Sequence, residues 1–198
     1  MRRITIETTS TRQTVPMEHL WFFVGILAGA AVRSPLEYLA HSLRDRRIVT
    51  PSPTVIVWQL FLIVLLIEFW IASLAVSKDE MGIGQFLLFL LLPFGAMVLA
   101  TLSKPTVKPD VDQFTEFESQ RNVFFLILAA LPVISLLREL IAGESIPFDA
   151  DLTYRILIFV GALLGLVIKK PRTAFVHALA MLALISTYLL DVYATVPA

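Results

Sequence analysis

Six stretches of the chain are long, apolar and nearly free of charge: about 17–33, 54–76, 84–103, 119–142, 152–169 and 172–193. A helix of roughly 20 residues covers the roughly 30 Å hydrocarbon layer of a bilayer. Lipid offers backbone amides no partner, so a crossing segment must be a helix or part of a closed barrel. Barrel strands alternate apolar and polar residues, and a stretch such as "VIVWQLFLIVLLIEFWIASL" does not. The expected fold is an all-α polytopic membrane protein with six transmembrane helices, or five if the first segment is re-entrant. Composition agrees, with 57% hydrophobic and 16% charged residues, where soluble domains carry about 25% charged.

The start of the chain superficially resembles a secretory signal, with Arg2, Arg3 and Arg12 preceding the apolar core Leu20 to Val32. The long leading segment carries Glu7 and Glu18, which fits a retained first span better. The expected organisation is an N-terminal tail over 1–16, one helical bundle over 17–193 and a C-terminal tail over 194–198.

Start signals punctuate the spans. Ser34-Pro35-Leu36-Glu37 reads as a capping box with proline at the first helical position. It predicts a break after the first span and a new amphipathic helix over about 35–47 on the membrane surface, with Leu36, Leu39, Ala40 and Leu43 on one face. Thr115 to Glu118 reads as a second capping box ahead of the fourth span, and "TPSP" and "FDAD" as caps of the second and fifth.

Lys and Arg in short loops set orientation. The 33–53 connection carries Arg33, Arg44, Arg46 and Arg47; the 104–121 connection carries Lys104, Lys108 and Arg121; the 169–172 turn carries Lys169, Lys170 and Arg172. These are expected in the cytoplasm of a plasma or inner membrane, which leaves the C-terminus outside. With six spans the N-terminus is outside as well, against its three arginines; with five it is inside.

An internal echo bears on architecture. "FVGILAGAAVRSPLEYLAHSL" (Phe23 to Leu43) aligns without gaps on "FVGALLGLVIKKPRTAFVHAL" (Phe159 to Leu179). Gly25 and Gly29 fall on Gly161 and Gly165, Pro35 on Pro171 and His41 on His177, while Gly95 and Pro105 form a weaker third copy. Glycines four apart let two helices approach closely in lipid, and the proline ends one helix and starts the next. Three tandem hairpins are the expected arrangement.

Few residues point to chemistry. Glu68 sits inside the second span, where a carboxylate is expensive and normally faces protein or water. Arg138, Glu139, Arg155, Tyr188 and Asp191 fall in the same half of the bilayer and would line a polar pocket with it if they converge. Pro93 and Pro132 bend the third and fourth spans. His41 and His177, near the cytoplasmic face, read as interfacial anchors rather than haem or metal ligands. The Asp110–Asp112 pair reads as solvated loop acids. Trp58 and Trp70 are expected at the two interfaces of the second span, and Phe114 and Phe117 against the membrane surface.

With no cysteine, disulfides and thiolate chemistry are excluded. Zero formal net charge and no basic block argue against nucleic acid. No Walker loop, GxSxG, zincin pair or aspartate-rich run occurs, so neither an enzyme nor a cofactor is expected. The reading that remains is a small channel or transporter for an ion or small solute that uses the Glu68 carboxylate. Its alternative is a non-catalytic membrane subunit or scaffold, with partners in the lipid bilayer, a homo-oligomer or another membrane protein.

Overall fold

The computed structural model describes residues 14–15, 17–44, 51–75, 81–104, 112–143 and 146–193. Asp110, Val111, Lys108, Arg46, Arg47 and most of both tails lie outside the described residues. Six helices follow one another: α1 (Met17–Arg44), α2 (Pro53–Ala75), α3 (Ile83–Leu102), α4 (Gln113–Ala142), α5 (Ala150–Val167) and α6 (Pro171–Tyr193). Five of them, α2 to α6, are long and apolar enough to cross a membrane. A two-residue antiparallel pairing, β1 (Thr14–Val15) with β2 (Met81–Gly82), ties the starts of α1 and α3 together.

The helix ends follow local chemistry. Pro53 and Pro171 occupy first-turn positions, where the missing N–H costs nothing. Asp149 caps α5, its carboxylate accepting from Leu152 N at 3.0 Å. Gly143 ends α4 in the left-handed region, at φ 75°, and its N–H reaches back to the Glu139 and Leu140 carbonyls. Asp112, not Thr115, caps α4: its carboxylate accepts from Phe114 N at 3.2 Å and from the Thr115 hydroxyl at 2.6 Å.

The expected break at Pro35 does not occur. α1 continues through it to Arg44, so the expected surface helix over 35–47 is, as far as Arg44, the second half of α1. Tertiary contacts on both sides of Pro35 outweigh the local signal. Ser34, instead of capping a new helix, donates its hydroxyl to Ala100 O on α3 at 3.0 Å. Tyr38 donates to Gln113 Oε1 on α4 at 2.6 Å. Arg33 and Glu37 pair across the proline at 2.6 Å.

Packing order around the bundle is α1, α3, α4, α5, α6, α2 and back to α1, and α2 also touches α3 and α4. Contacts between helix ends show the directions. Glu37 meets Lys104, Tyr38 meets Gln113, and Arg121 meets Ile168 O, so the ends of α1, α3 and α5 lie beside the starts of α2, α4 and α6. That end, called here the basic end, carries Arg33, Lys104, Arg121, Lys169, Lys170 and Arg172. Arg138, Glu139, Asp151, Arg155 and Asp191 lie toward the opposite end.

An aromatic cluster fills the core near the basic end. Trp58 is edge-on to Phe61, Phe124 and Phe125 at 5.2–5.3 Å and stacked on Phe117 at 6.5 Å. Trp58 and Phe117 are therefore core residues and not the interfacial anchors that the sequence suggests. Such ring pairs add about 1 kcal/mol each beyond their buried area. Trp70, in contrast, is partly exposed.

Candidate functional site: a cavity where the helices converge

α2 is apolar along most of its length, so its one carboxylate has to be accommodated by packing. Glu68 is buried, and it lines a cavity of about 90 Å³ to which all six helices contribute. α1 supplies Val24 and Ala28, α3 Phe89 and Pro93, and α4 Pro132, Ser135 and Arg138. Arg155 comes from α5 and Tyr188 from α6. Most of the wall is apolar.

Two of the three helices that carry an internal proline, α3 and α4, bring it to this cavity. A proline within a helix leaves the carbonyl four residues earlier without its usual donor. Pro93 and Pro132 do this to Phe89 and Leu128, and all four residues line the cavity.

The arginines are held by a network that joins three helices. Arg155 Nη1 donates to Glu139 Oε1 on α4 at 2.5 Å, and Arg155 Nη2 pairs with Asp151 one turn earlier on α5. Tyr188 on α6 donates its hydroxyl to the same Asp151 at 2.5 Å. Arg138 lies 3.8 Å from Glu139 and over the Phe89 ring at 5.6 Å, a cation–π geometry. Each guanidinium is thus met by carboxylates in a place largely shielded from water, where charge-assisted bonds are strongest.

Of the residues singled out in the sequence, Glu68, Arg138, Arg155 and Tyr188 line the cavity and Glu139 stands directly behind it. Asp191 does not line it and is exposed; Tyr154, one turn into α5, has its ring 5.3 Å from that of Tyr188. Asp151 was missed as a site residue. Its spacing of four from Arg155 on one helix is the signal that points to it.

The two histidines are each tied to a backbone carbonyl. His41 Nδ1 lies 2.7 Å from Glu37 O in its own helix. His177 Nε2 lies 2.9 Å from Gly161 O on α5, with its ring against Trp58 and Phe125. Among the described residues no group of three or more His, Cys, Asp or Glu side chains is placed to hold a metal ion.

The four glycines of the echo meet different surroundings. A side chain at Gly165 would overlap the Phe125 ring, and one at Gly161 would overlap the Met181 sulfur. Gly25 lies against the Trp70 ring at 3.4 Å, and Gly29 has nothing within 4 Å.

Outside the cavity, two buried amides carry tertiary bonds near the basic end. Gln59 donates to Ser103 O at 2.7 Å, and Gln113 accepts from Tyr38 and from Ser52 N. On the surface there, Glu37 receives Arg33 at 2.6 Å and Lys104 at 2.7 Å. Hydrogen bonds from Lys104 and then Arg33 hold its carboxyl down to about 2.

No protein-family model matches this chain, and no curated protein or solved structure is similar to it, so what the cavity does has to follow from its own chemistry.

Proposed function

We propose that this multi-pass membrane protein is a small transport protein, a channel or carrier that passes an ion or small solute through the cavity at Glu68. In this reading the basic end lies in the cytoplasm and the C-terminus outside, following the distribution of Lys and Arg. One observation carries it: an intramembrane carboxylate lines a cavity whose walls include two proline-interrupted helices. Intramembrane ionisable groups that face a cavity mark substrate and ion pathways. Interrupted helices at membrane depth are tolerated where they border such a cavity. A space of about 90 Å³ suits a solute of a few heavy atoms or a short file of water.

The test is flux in proteoliposomes of the purified full chain. Osmotic challenge with urea, glycine or acetate is followed by light scattering, and Na⁺, K⁺ and H⁺ gradients by electrical or dye readouts. Uptake of at least one of these above protein-free vesicles, lost in Glu68→Gln, is expected. Vesicles no more permeable than empty ones to every probe would overturn the reading.

A second reading, a non-catalytic subunit of an oligomer or larger membrane complex, is favoured by α1. Phe22, Ile26, Gly29 and Ala30 are exposed along it, and among the described residues none comes within 4 Å of a side chain placed at Gly29. An open glycine on a lipid-facing helix can seat a second helix. Gly29→Leu would then shift the assembly size measured in nanodiscs, and an unchanged size would remove this reading.

A further inference from the structure

We propose that Arg138 and Ser135 on α4 form a receiving site in the cavity for the carboxylate of a small solute. The two arginines on the wall are placed differently. Arg155 spends both ends of its fork inside the protein, Nη1 on Glu139 and Nη2 on Asp151. Arg138 has Glu139 at 3.8 Å, beyond hydrogen-bond reach, and the Phe89 ring at 5.6 Å. The Glu139 oxygen concerned is the one that Arg155 already holds at 2.5 Å. Among the described residues the Arg138 guanidinium donates no hydrogen bond, although a guanidinium is built to donate several.

Ser135 adds a second donor. It precedes Arg138 by one turn on the same face of α4 and also lines the cavity. A serine inside a helix commonly bonds the carbonyl one turn back, as Ser119 does to Glu116 O in this same helix. The Ser135 hydroxyl does not; among the described residues it makes no hydrogen bond. Two neighbouring donors, one of them permanently charged, are thus left to whatever enters the cavity.

What fits them is a flat, anionic group of acceptors. A carboxylate meets a guanidinium fork with two parallel bonds, a stronger and more selective pairing than a neutral acceptor makes. Leu65, Leu128, Ile158 and Ile185 elsewhere on the wall suit a short hydrocarbon body, and a space of about 90 Å³ limits it to a few heavy atoms. Carboxylates of that size come as short-chain acids or as small α-amino acids. Glu68, on the same wall, can accept a hydrogen bond whether or not it carries a proton, and a carboxyl group has room for more than one donor. An amino acid's ammonium therefore has an acceptor in the same cavity.

That such a solute is the cargo rests on the transport reading above; that it binds does not, and the experiment separates the two. The purified full chain in nanodiscs is titrated calorimetrically at neutral pH with propionate, alanine and propionamide. Propionate or alanine should bind, and the tighter of the two identifies the source of the carboxylate. Propionamide, similar in shape but uncharged, should bind at least about tenfold more weakly. Arg138→Gln should weaken the bound acid by at least about tenfold, Arg138→Lys by less because it keeps the charge without the fork, and Ser135→Ala by a smaller factor. Failure of both acids to bind overturns the proposal. So does propionamide bound as tightly as the acids, or an affinity unchanged in Arg138→Gln. Should both Arg138 variants fail to fold, an unchanged affinity in Ser135→Ala overturns it instead. Flux of urea or a cation with neither acid bound would strike this site alone; binding with no flux of any probe would strike the transport reading alone.

Discussion

Arg155 on α5 and Glu139 on α4 meet at 2.5 Å, and the same guanidinium also holds Asp151, which in turn accepts from Tyr188 on α6. Three helices that share little polar surface elsewhere are pinned to one cation at the side of the cavity. The pair is well shielded, with side chains 15% and 14% exposed. Removing one partner of a buried pair leaves the other charged and unmatched, at about 3–5 kcal/mol. Arg155→Met strands Asp151 and leaves Glu139 only Arg138 at 3.8 Å, while Glu139→Gln leaves Arg155 its bond to Asp151. Arg155→Met is therefore expected to destabilise the protein by about 3 kcal/mol and Glu139→Gln by clearly less, read as thermal midpoints in detergent. Equal losses would mean that Asp151 does not share the load.

The glycines of the echo should rank by what surrounds them. Overpacking a filled site costs about 1–3 kcal/mol. At Gly165 a methyl would run into the Phe125 ring, which is locked among Trp58 and Phe124. At Gly161 it would run into Met181, a flexible side chain that can turn aside. At Gly29 it meets nothing. Alanine is expected to cost most at Gly165, less at Gly161, and nothing at Gly29, where it adds helix propensity. Thermal midpoints of the three variants check the order, and a Gly29→Ala loss as large as that at Gly165 would contradict it.

What could be read from the sequence is depth, and what could not is direction around each helix axis. The lengths of the apolar runs place Glu68, Arg138, Arg155 and Tyr188 in one half of the bilayer, and Asp149 announces its cap. A uniformly apolar helix such as α2 has no polar face to show which side turns inward, so Trp58 looked interfacial although it is the centre of the aromatic cluster. Asp151 reads in the sequence only as part of the "FDAD" cap because its partner Tyr188 is far away in the chain. Pro35 misled for the related reason that the bonds carrying α1 through it, Ser34 to Ala100 and Tyr38 to Gln113, are both long-range.

Glu37 gives a prediction with a definite sign in pH. Its carboxyl is held down to about 2 by Lys104 and Arg33, below its ordinary value of 4.5. A depressed folded value means that the tie between α1 and the end of α3 contributes fully above about pH 4.5 and is lost as pH falls through about 2. The contribution is small because all three side chains are open to solvent and screening. The difference in thermal midpoint between wild type and Glu37→Gln should be constant from neutral pH to about 4.5 and vanish near 2. A difference that grows on acidification would reverse the sign and reject the assignment.

The prolines at the cavity offer the last test, because they set rigidity against function. Replacing Pro93 on α3 by alanine returns an N–H to the carbonyl of Phe89, and Pro132→Ala on α4 does the same for Leu128. One regained backbone bond is worth about 1 kcal/mol, so each variant should melt slightly higher than wild type. On the proposed transport reading the interruptions let the cavity wall move, and the same substitutions should slow flux in proteoliposomes even as they stabilise the bundle. Higher stability with unchanged flux would assign the prolines to static fitting of α3 against α4, where Gly95 already lets Leu131 approach closely.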